Sequence, residues 1–134
     1  TFPVFRCNKR KPVQPGGSID LQWIPDTVTS VNIADLELDG SIDTSVLSNT
    51  LHTLRANNNQ LCGTFSIENL PQRLVRVDIH DNTMSGSLDL KCLPPTLREF
   101  RAANNAFSGT INLTQLPEGL EVIWFYLNSF EGSV

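Results

Sequence analysis

Glycine recurs along this chain at a fixed interval. Six of its eight glycines are evenly spaced, and the same 23-residue step leads from each to the next: Gly17, Gly40, Gly63, Gly86, Gly109 and Gly132. Self-similarity at a constant period of this length is the sequence signature of a stacked-repeat architecture. The 134 residues are about one domain's worth of chain, so we expect one stack of short repeats.

The apolar residues follow the same period. When the chain is written in rows of one period from Ile24, with the row start as position 0, apolar side chains recur at positions 0, 4, 7, 9, 14 and 18. The rows are 24–46, 47–69, 70–92, 93–115 and an incomplete 116–134, after a lead-in over 1–23. Position 12 is leucine in the first row and asparagine in the others: Leu36, Asn59, Asn82, Asn105 and Asn128.

Each row therefore reads close to Leu-Pro-x-x-Leu-x-x-Leu-x-Leu-x-x-Asn-x-Leu-x-Gly-x-Ile. This pattern resembles the leucine-rich-repeat family, whose core is L-x-x-L-x-L-x-x-N-x-L. The resemblance covers residues 24–134. Within the family, the rows are most similar to the plant-type subclass and to surface repeat proteins of protists. The resemblance implies a right-handed leucine-rich-repeat solenoid with a parallel β-sheet on the concave face, and a module that recognises proteins.

The column pattern also predicts the local structure. Apolar positions 7 and 9 alternate with polar neighbours, which indicates a short strand with one face inward. Stacked rows would pair these strands in parallel, about 4.8 Å apart. The amides of Asn59, Asn82, Asn105 and Asn128 can donate to and accept from turn backbone, so we predict a structural asparagine ladder. Six residues between the glycine and the next row favour an extended or 3₁₀ convex side with little or no α-helix.

Charged side chains dominate the predicted concave face of the middle rows. Positions 6 and 8 carry opposite charges on adjacent strands, and position 5 adds Arg98. Such cross-strand pairs contribute roughly 0.2–1 kcal/mol each. The pattern favours a self-satisfied lattice that keeps the sheet soluble; the alternative is a polar docking surface for an acidic or mixed ligand. The residues concerned are Arg55, Arg76, Asp78, Arg98, Glu99 and Arg101.

The last row differs, because Val122, Trp124, Tyr126 and Leu127 are apolar where the other rows are polar. Trp and Tyr are enriched in binding hot spots, and Arg101, one strand away, could stack on the indole. We predict a protein or peptide ligand anchored by Trp124, Tyr126 and Val122 and oriented by Arg101, Arg76 and Arg55. Two alternatives stay open: self-association as a homodimer through an open edge strand, and packing of this patch against further repeats.

Other functions are less favoured by the sequence. A net charge of −4 argues against nucleic-acid binding, and no apolar run is long enough to span a membrane. Asp78 and His80 share the outward face and are the one pair that could serve as an acid–base or weak metal site. Phosphate-binding loops and H-E-x-x-H motifs are absent from the sequence. We expect no enzyme and no cofactor.

Three cysteines, Cys7, Cys62 and Cys92, are too widely spaced for a zinc site. We expect three unpaired thiols, and unpaired thiols favour a reducing compartment. If the chain is extracellular, a disulfide from Cys7 to one of the other two cysteines remains an alternative. Asn112-Leu113-Thr114 is a single N-glycosylation sequon, a triplet that arises easily by chance. The lead-in is predicted to cover the first row with Ile19, Leu21 and Trp23.

Overall fold

Every row contributes one strand to each of two parallel sheets in the computed structural model, which describes residues 21–131. Strands are numbered in chain order. The front sheet, which the repeat pattern assigns to the concave face, consists of β1 (Ser30–Asn32), β3 (Thr53–Arg55), β5 (Arg76–Asp78), β7 (Glu99–Arg101) and β9 (Val122–Trp124). The back sheet consists of β2 (Asp39–Gly40), β4 (Gln60–Thr64), β6 (Thr83–Gly86), β8 (Ala106–Thr110) and β10 (Ser129–Glu131).

Four short 3₁₀ helices lie among the described residues: the first precedes the first row, and the other three connect the back sheet to the next row. Their bounds are Leu21–Trp23, Thr44–Val46, Ile67–Asn69 and Leu90–Cys92. No α-helix occurs between residues 21 and 131. The predicted parallel-strand solenoid with an extended or 3₁₀ outer side is therefore confirmed. The sequence pattern did not indicate that the extended outer segments would themselves pair as a second parallel sheet.

The register of the front sheet follows the repeat period. Val31 pairs with Leu54, Leu54 with Val77 and Val77 with Phe100, each in the parallel sense. Parallel strands cannot be joined by a tight hairpin, and each connection here is the remainder of one turn of the solenoid. Because side chains alternate across a strand, position 7 points inward in every row and positions 6 and 8 point outward.

The core lies between the two sheets and is densest in the middle of the stack. Leu54, Val77 and Phe100 at position 7 are fully buried. In the last row the corresponding Ile123 is only partly buried, as is Phe125 at position 9. A row alone cannot bury its apolar face, so burial depends on having a neighbour on both sides.

Left-handed backbone recurs at two columns of the repeat, and Glu37 adds an isolated case in the first row. Position 11 has a positive φ in every row, and the residues there are Asp35, Asn58, Asp81, Asn104 and Leu127. Gly86, at position 16, has a φ of +89°, and a Cβ built there would lie 2.9 Å from Cγ2 of Thr64. Glycine is required at that position both for its backbone conformation and for the close approach of the preceding row.

The asparagines at position 12 join each row to the one before it. Asn82 Nδ2 donates to the carbonyls of Ala56, Ile79 and His80 at 3.0, 3.1 and 3.3 Å, and its Oδ1 accepts from Leu61 N at 3.0 Å. Asn59, Asn105 and Asn128 make the equivalent set of bonds with their own preceding rows. These side chains satisfy turn backbone that the strands leave unpaired.

The cysteines differ from the sequence expectation. Cys62 is disulfide-bonded, whereas Cys92 is free and partly buried, so the prediction of three unpaired thiols is wrong. The unpaired thiols were the reason for favouring a reducing compartment. The disulfide removes that reason, because disulfides form and persist in oxidising environments. Cys7 and Ile19 belong to the part of the lead-in outside the described residues. Leu21 is buried, with 4% of its surface exposed.

Candidate functional site

Outward side chains of the front sheet form straight rows across the strands. Parallel register places Arg55, Asp78, Arg101 and Trp124 side by side at position 8. Thr53, Arg76, Glu99 and Val122 are aligned in the same way at position 6. The predicted binding residues therefore lie on one surface, where one protein segment could contact them together.

Glu99 sits between two arginines at the centre of this surface. Its Oε2 accepts from Arg76 Nε at 2.9 Å, and its Oε1 accepts from Arg101. The hydrogen bond from Arg76, assisted by that from Arg101, lowers the pKa of Glu99 below its usual 4.5, against the opposing effect of partial burial. The two guanidiniums thus hold one carboxylate in its charged form, and the carboxylate fixes both guanidiniums in place.

A second cross-strand pair is more loosely held. Arg98 and Glu121 are 3.4 Å apart on neighbouring rows, and each side chain is 62% exposed. Exposed pairs of this kind contribute at most about 1 kcal/mol because water screens them. The two pairs together form part of the charge lattice that the alternating signs suggested.

Asp78 and Arg55 do not form the pair that their register would allow. Asp78 is 9% exposed, and its carboxylate contacts Nδ1 of His80, two residues further along the same strand face. Arg55 is exposed and forms no ion pair with the described residues. Within that part of the chain, the front sheet therefore presents a cation at Arg55 whose charge is not neutralised by a neighbour.

His80 has acidic neighbours but no metal-binding arrangement. Its Nε2 lies 3.9 Å from Oδ2 of Asp81, which follows it in sequence. Within residues 21–131, no group of three or more His, Cys, Asp and Glu side chains could hold a metal ion. Clefts of about 320 and 250 Å³ lie on the 3₁₀ side around Thr64 and Ser66, away from this histidine.

An aromatic cluster covers the end of the front sheet, and it comprises His80, Arg101, Trp124 and Tyr126. The guanidinium carbon of Arg101 lies 4.6 Å from the centroid of the Trp124 ring, which is the stacking expected from their adjacent strands. The Trp124 ring meets His80 edge-on at 5.9 Å and Tyr126 at 6.0 Å between centroids. Contact with His80, two strands away, requires the indole to lie across the intervening row.

That orientation explains an unexpected burial. Ala103 occupies outward position 10, between His80 and Tyr126, where the sequence pattern placed it on the exposed face. It is only 2% exposed, because the rings from the rows on either side close over its small side chain. Trp124 nevertheless keeps 36% of its surface exposed and Tyr126 keeps 59%.

Leu127 extends this apolar surface at a backbone position that suits leucine poorly. Its φ is 57°, and it is 67% exposed. The other rows place Asp or Asn there, residue types that tolerate left-handed backbone and hydrogen-bond locally. Asn58 and Asn104 use this position to donate to Asp35 and Asp81, both at 2.6 Å. The last row has an exposed apolar side chain in place of that bond.

No family model and no curated protein matches the chain, but solved structures do. The plant peptide hormone receptor RGFR1 in complex with RGF2 is 27% identical over 86% of this chain and 19% of that chain, with a TM-score of 0.76. Pollen Receptor Kinase 3 is 30% identical over 78% and 52%, with a TM-score of 0.69. The leucine-rich-repeat ectodomain of the Arabidopsis thaliana receptor kinase SOBIR1 is 26% identical over 79% and 61%, with a TM-score of 0.63.

This chain is a leucine-rich-repeat solenoid. The parallel strands recurring once in every row, the position-12 asparagines and these structural neighbours agree on that fold. The chain spans between about a fifth and three fifths of the length of the three receptors. None of the helices between residues 21 and 131 is long and apolar enough to cross a membrane.

One edge of the leucine-rich-repeat front sheet is close to the aromatic cluster. Among the described residues, β9 pairs only with β7, so its far side presents unpaired backbone groups. Val122, Trp124 and Leu127 are on or beside this edge, and all three are at least partly exposed. Within the described part of the chain β9 is thus an edge strand, and a strand of this kind can pair with another one.

Proposed function

We propose that this leucine-rich-repeat solenoid is a non-catalytic module that binds a peptide or protein segment on its front sheet. Trp124, Tyr126 and Val122 would supply the apolar anchors. The charged residues Arg55, Arg76, Asp78, Glu99 and Arg101 would orient the ligand. Large contiguous apolar patches on a protein surface usually mark an interaction site.

The observation that carries the proposal is that the anchor is exposed and yet held in place. The Trp124 ring contacts Arg101 on one strand and His80 on another. Arg101 is in turn fixed by Glu99, and His80 by Asp78. A side chain fixed before binding loses little conformational freedom when the ligand arrives, and this pre-organisation favours affinity.

The spacing of the free cation and the anchor indicates what the ligand should look like. Arg55 and Trp124 share position 8 and are three strands apart, which corresponds to about 14 Å at about 4.8 Å per strand. An extended peptide advances about 3.3 Å per residue, so about four residues cover that distance. We therefore propose an extended segment crossing the strands, with a carboxylate about four residues from an apolar side chain.

The structural neighbours support the class of ligand. RGFR1, which shares this fold and is 27% identical, is a peptide hormone receptor whose structure contains RGF2. That protein is much longer than the present chain, so the likeness supports recognition of a peptide or protein in general and leaves the ligand's identity to experiment.

Selection of peptides from a displayed random library against the immobilised full chain tests the proposal. Binding of selected peptides is then measured by fluorescence polarisation. Trp124→Ala should weaken binding by about 2 kcal/mol, roughly thirty-fold. Leu113→Ala is the matched control, because Leu113 is similarly exposed, at 40%, but lies outside the front sheet. Selected peptides that bind wild type and Trp124→Ala equally would refute the anchor assignment.

Charge substitutions test the orientation of the ligand. Arg55→Ala should weaken binding of peptides with a carboxylate at the proposed spacing, and added salt should reduce the difference. Arg73→Ala is the control, because Arg73 is an exposed arginine outside the front-sheet columns. Equal losses from both variants would show a general charge effect and contradict a specific role for Arg55.

A second candidate function is self-association through the last row. The position of β9 at the edge of the described sheet and the exposure of Tyr126 and Leu127, at 59% and 67%, favour it. Light scattering coupled to size exclusion should then show a dimer that dissociates in Leu127→Asp. A strict monomer at high micromolar concentration would exclude this alternative.

A further inference from the structure

The fourth row departs from the others where the back sheet leads into the 3₁₀ side. Position 19 holds Asp43, Ser66, Asp89 and Asn112 in successive rows, and the first three begin a 3₁₀ helix. Oδ1 of Asp43 caps its helix by accepting from Ser45 N at 3.0 Å. No 3₁₀ helix follows Asn112 within the described residues.

Asn112 instead forms a closed turn with Thr114. Its Oδ1 accepts from the backbone nitrogen of Thr114 at 2.9 Å and from the Thr114 hydroxyl at 2.6 Å. The Asn112 amide nitrogen, Nδ2, donates to none of the described residues. The ladder asparagines differ, because each Nδ2 donates to backbone carbonyls. The turn therefore fixes the amide oxygen and leaves the amide nitrogen open to solvent.

Loss of the helix also exposes this segment. Position 20 is buried in the first three rows, where Thr44, Ile67 and Leu90 are at most 2% exposed. Leu113, at the same position in the fourth row, is 40% exposed. Asn112 and Thr114 on either side of it are exposed as well, so an enzyme could reach all three residues.

We propose that Asn112 is an N-glycosylation acceptor. Asn112-Leu113-Thr114 matches the Asn-x-Ser/Thr acceptor sequence and is the only such triplet in the chain. The disulfide at Cys62 is an independent observation in its favour. Disulfide-bonded chains are typical of the oxidising secretory compartment, where N-glycans are attached to surface loops.

The chemistry assigned to the site is a glycosyl transfer. Nδ2 of Asn112 attacks C1 of a lipid-pyrophosphate-linked oligosaccharide and forms the new C1–N bond. The C1–O bond to the pyrophosphate breaks, and its electron pair leaves with the lipid pyrophosphate. One amide proton passes from Nδ2 to a base on the transferase. The Thr114 hydroxyl, bonded to Oδ1, draws electron density from the carbonyl and so helps the amide to lose that proton.

A glycan at this place would leave the proposed ligand site open. Asn112 follows β8 of the back sheet, whereas the aromatic cluster lies on the front sheet, with the buried core between them. The glycosylation proposal rests on the turn, the exposure and the disulfide, and it stands or falls independently of ligand binding.

Expression of the full chain behind a cleavable secretory leader in a eukaryotic host tests the proposal. Material recovered from the medium should shift once to lower mass after peptide-N-glycosidase treatment. Peptide mass spectrometry should then find aspartate at position 112, because the enzyme converts the glycosylated asparagine. A secreted wild-type chain that shows no shift would overturn the proposal.

Variants assign the shift to this residue. Asn112→Gln and Thr114→Ala should each abolish it completely, whereas Thr114→Ser keeps the hydroxyl and should retain it. Thermal melting of the bacterially produced variants, which carry no glycan, shows whether they still fold. A shift that persists in secreted Asn112→Gln, or that Thr114→Ala leaves unchanged, would place the modification elsewhere and refute the assignment.

Discussion

The middle rows and the last row of the front sheet share a backbone but present different surfaces. Arg101 and Trp124 occupy the same position on adjacent strands in register, and both rows keep the asparagine at position 12 and left-handed backbone at position 11. The middle rows carry ion pairs around Glu99, while the last row carries exposed aromatic and aliphatic side chains. Inward and turn positions therefore specify the fold, and outward positions are free to specify binding.

The difference extends to backbone energetics. At position 11 the middle rows use Asn and Asp, which bond across rows. The last row uses Leu127, which makes no such bond and holds a left-handed conformation that costs a non-glycine residue roughly 1–2 kcal/mol. The left-handed leucine of the last row is therefore a local cost that the middle rows avoid.

The largest expected difference between the two regions is in core substitutions. Phe100→Ala, in a middle row, should lower the free energy of unfolding by about 3–5 kcal/mol because it leaves a cavity. Phe100 is fully buried and meets Phe125 edge-on at 6.1 Å. Trp124→Ala should lower it less, by about 1–2 kcal/mol, because the ring loses its contacts with Arg101 and His80 but leaves no enclosed cavity. Urea unfolding measures both, and equal costs would contradict a surface role for Trp124.

The asparagine ladder should matter more in the middle than at the end. Asn82→Ala should lower the free energy of unfolding by about 2–3 kcal/mol, because buried carbonyls and an N–H lose their partners. Asn128 makes equivalent bonds but is more exposed than Asn82, which is 7% exposed. Water can replace those bonds, so Asn128→Ala should cost about 1 kcal/mol. A greater loss for Asn128→Ala in urea unfolding would reverse the comparison.

Replacing Leu127 should make the last row resemble the middle rows. Leu127→Asn is expected to raise the free energy of unfolding by about 1 kcal/mol, because asparagine tolerates left-handed backbone. Leu127→Ala has no polar side chain that could hydrogen-bond the local backbone, so it should bring no such gain. The midpoints of urea unfolding distinguish them. If both variants stabilise equally, the cost lies in the exposed apolar surface and not in the backbone.

The smallest effect concerns the charge lattice and its pH dependence. Glu99→Gln should cost about 1 kcal/mol at neutral pH. The folded-state pKa of Glu99 lies below the usual 4.5, so its stabilisation is present above that value and is lost as the pH falls through the folded-state pKa. The difference between wild type and Glu99→Gln should therefore vanish in acid.

Glu121→Gln is the control for that measurement. Glu121 pairs with Arg98, but both side chains are 62% exposed. We expect its effect on urea unfolding to stay within about 0.5 kcal/mol at neutral pH. A loss that matches Glu99→Gln would show that burial between two arginines confers no special strength on the central pair.

Most of the fold could be predicted from the sequence because the period constrains it repeatedly. Five rows agree on which residues point inward, and a slip of one residue would expose every one of them. The back sheet was less predictable. Four of its five strands contain a glycine, as Gly63 does in β4, and glycine weakens the strand signal. Their pairing follows from stacking and not from local preference.

The candidate site was only partly predictable, because side-chain direction depends on neighbours in space. The stacking of Arg101 on Trp124 follows from adjacent strands in register. Adjacent strands do not predict that the indole contacts His80 or that Ala103 is buried beneath it. Both features depend on the rotamer that Trp124 adopts. The Asp78 carboxylate contacts His80 and not Arg55, and this too depends on side-chain rotamers that the sequence pattern does not indicate.

The asparagine bonds give the stack a direction. Each Asn at position 12 reaches back to carbonyl and N–H groups of the row before it, so every added turn completes its predecessor. Whole turns could accordingly be inserted or removed by splicing the coding sequence in steps of one period. A shorter or longer splice would set every downstream amide against the wrong backbone group, so viable length variants of this protein should differ by whole multiples of the glycine interval.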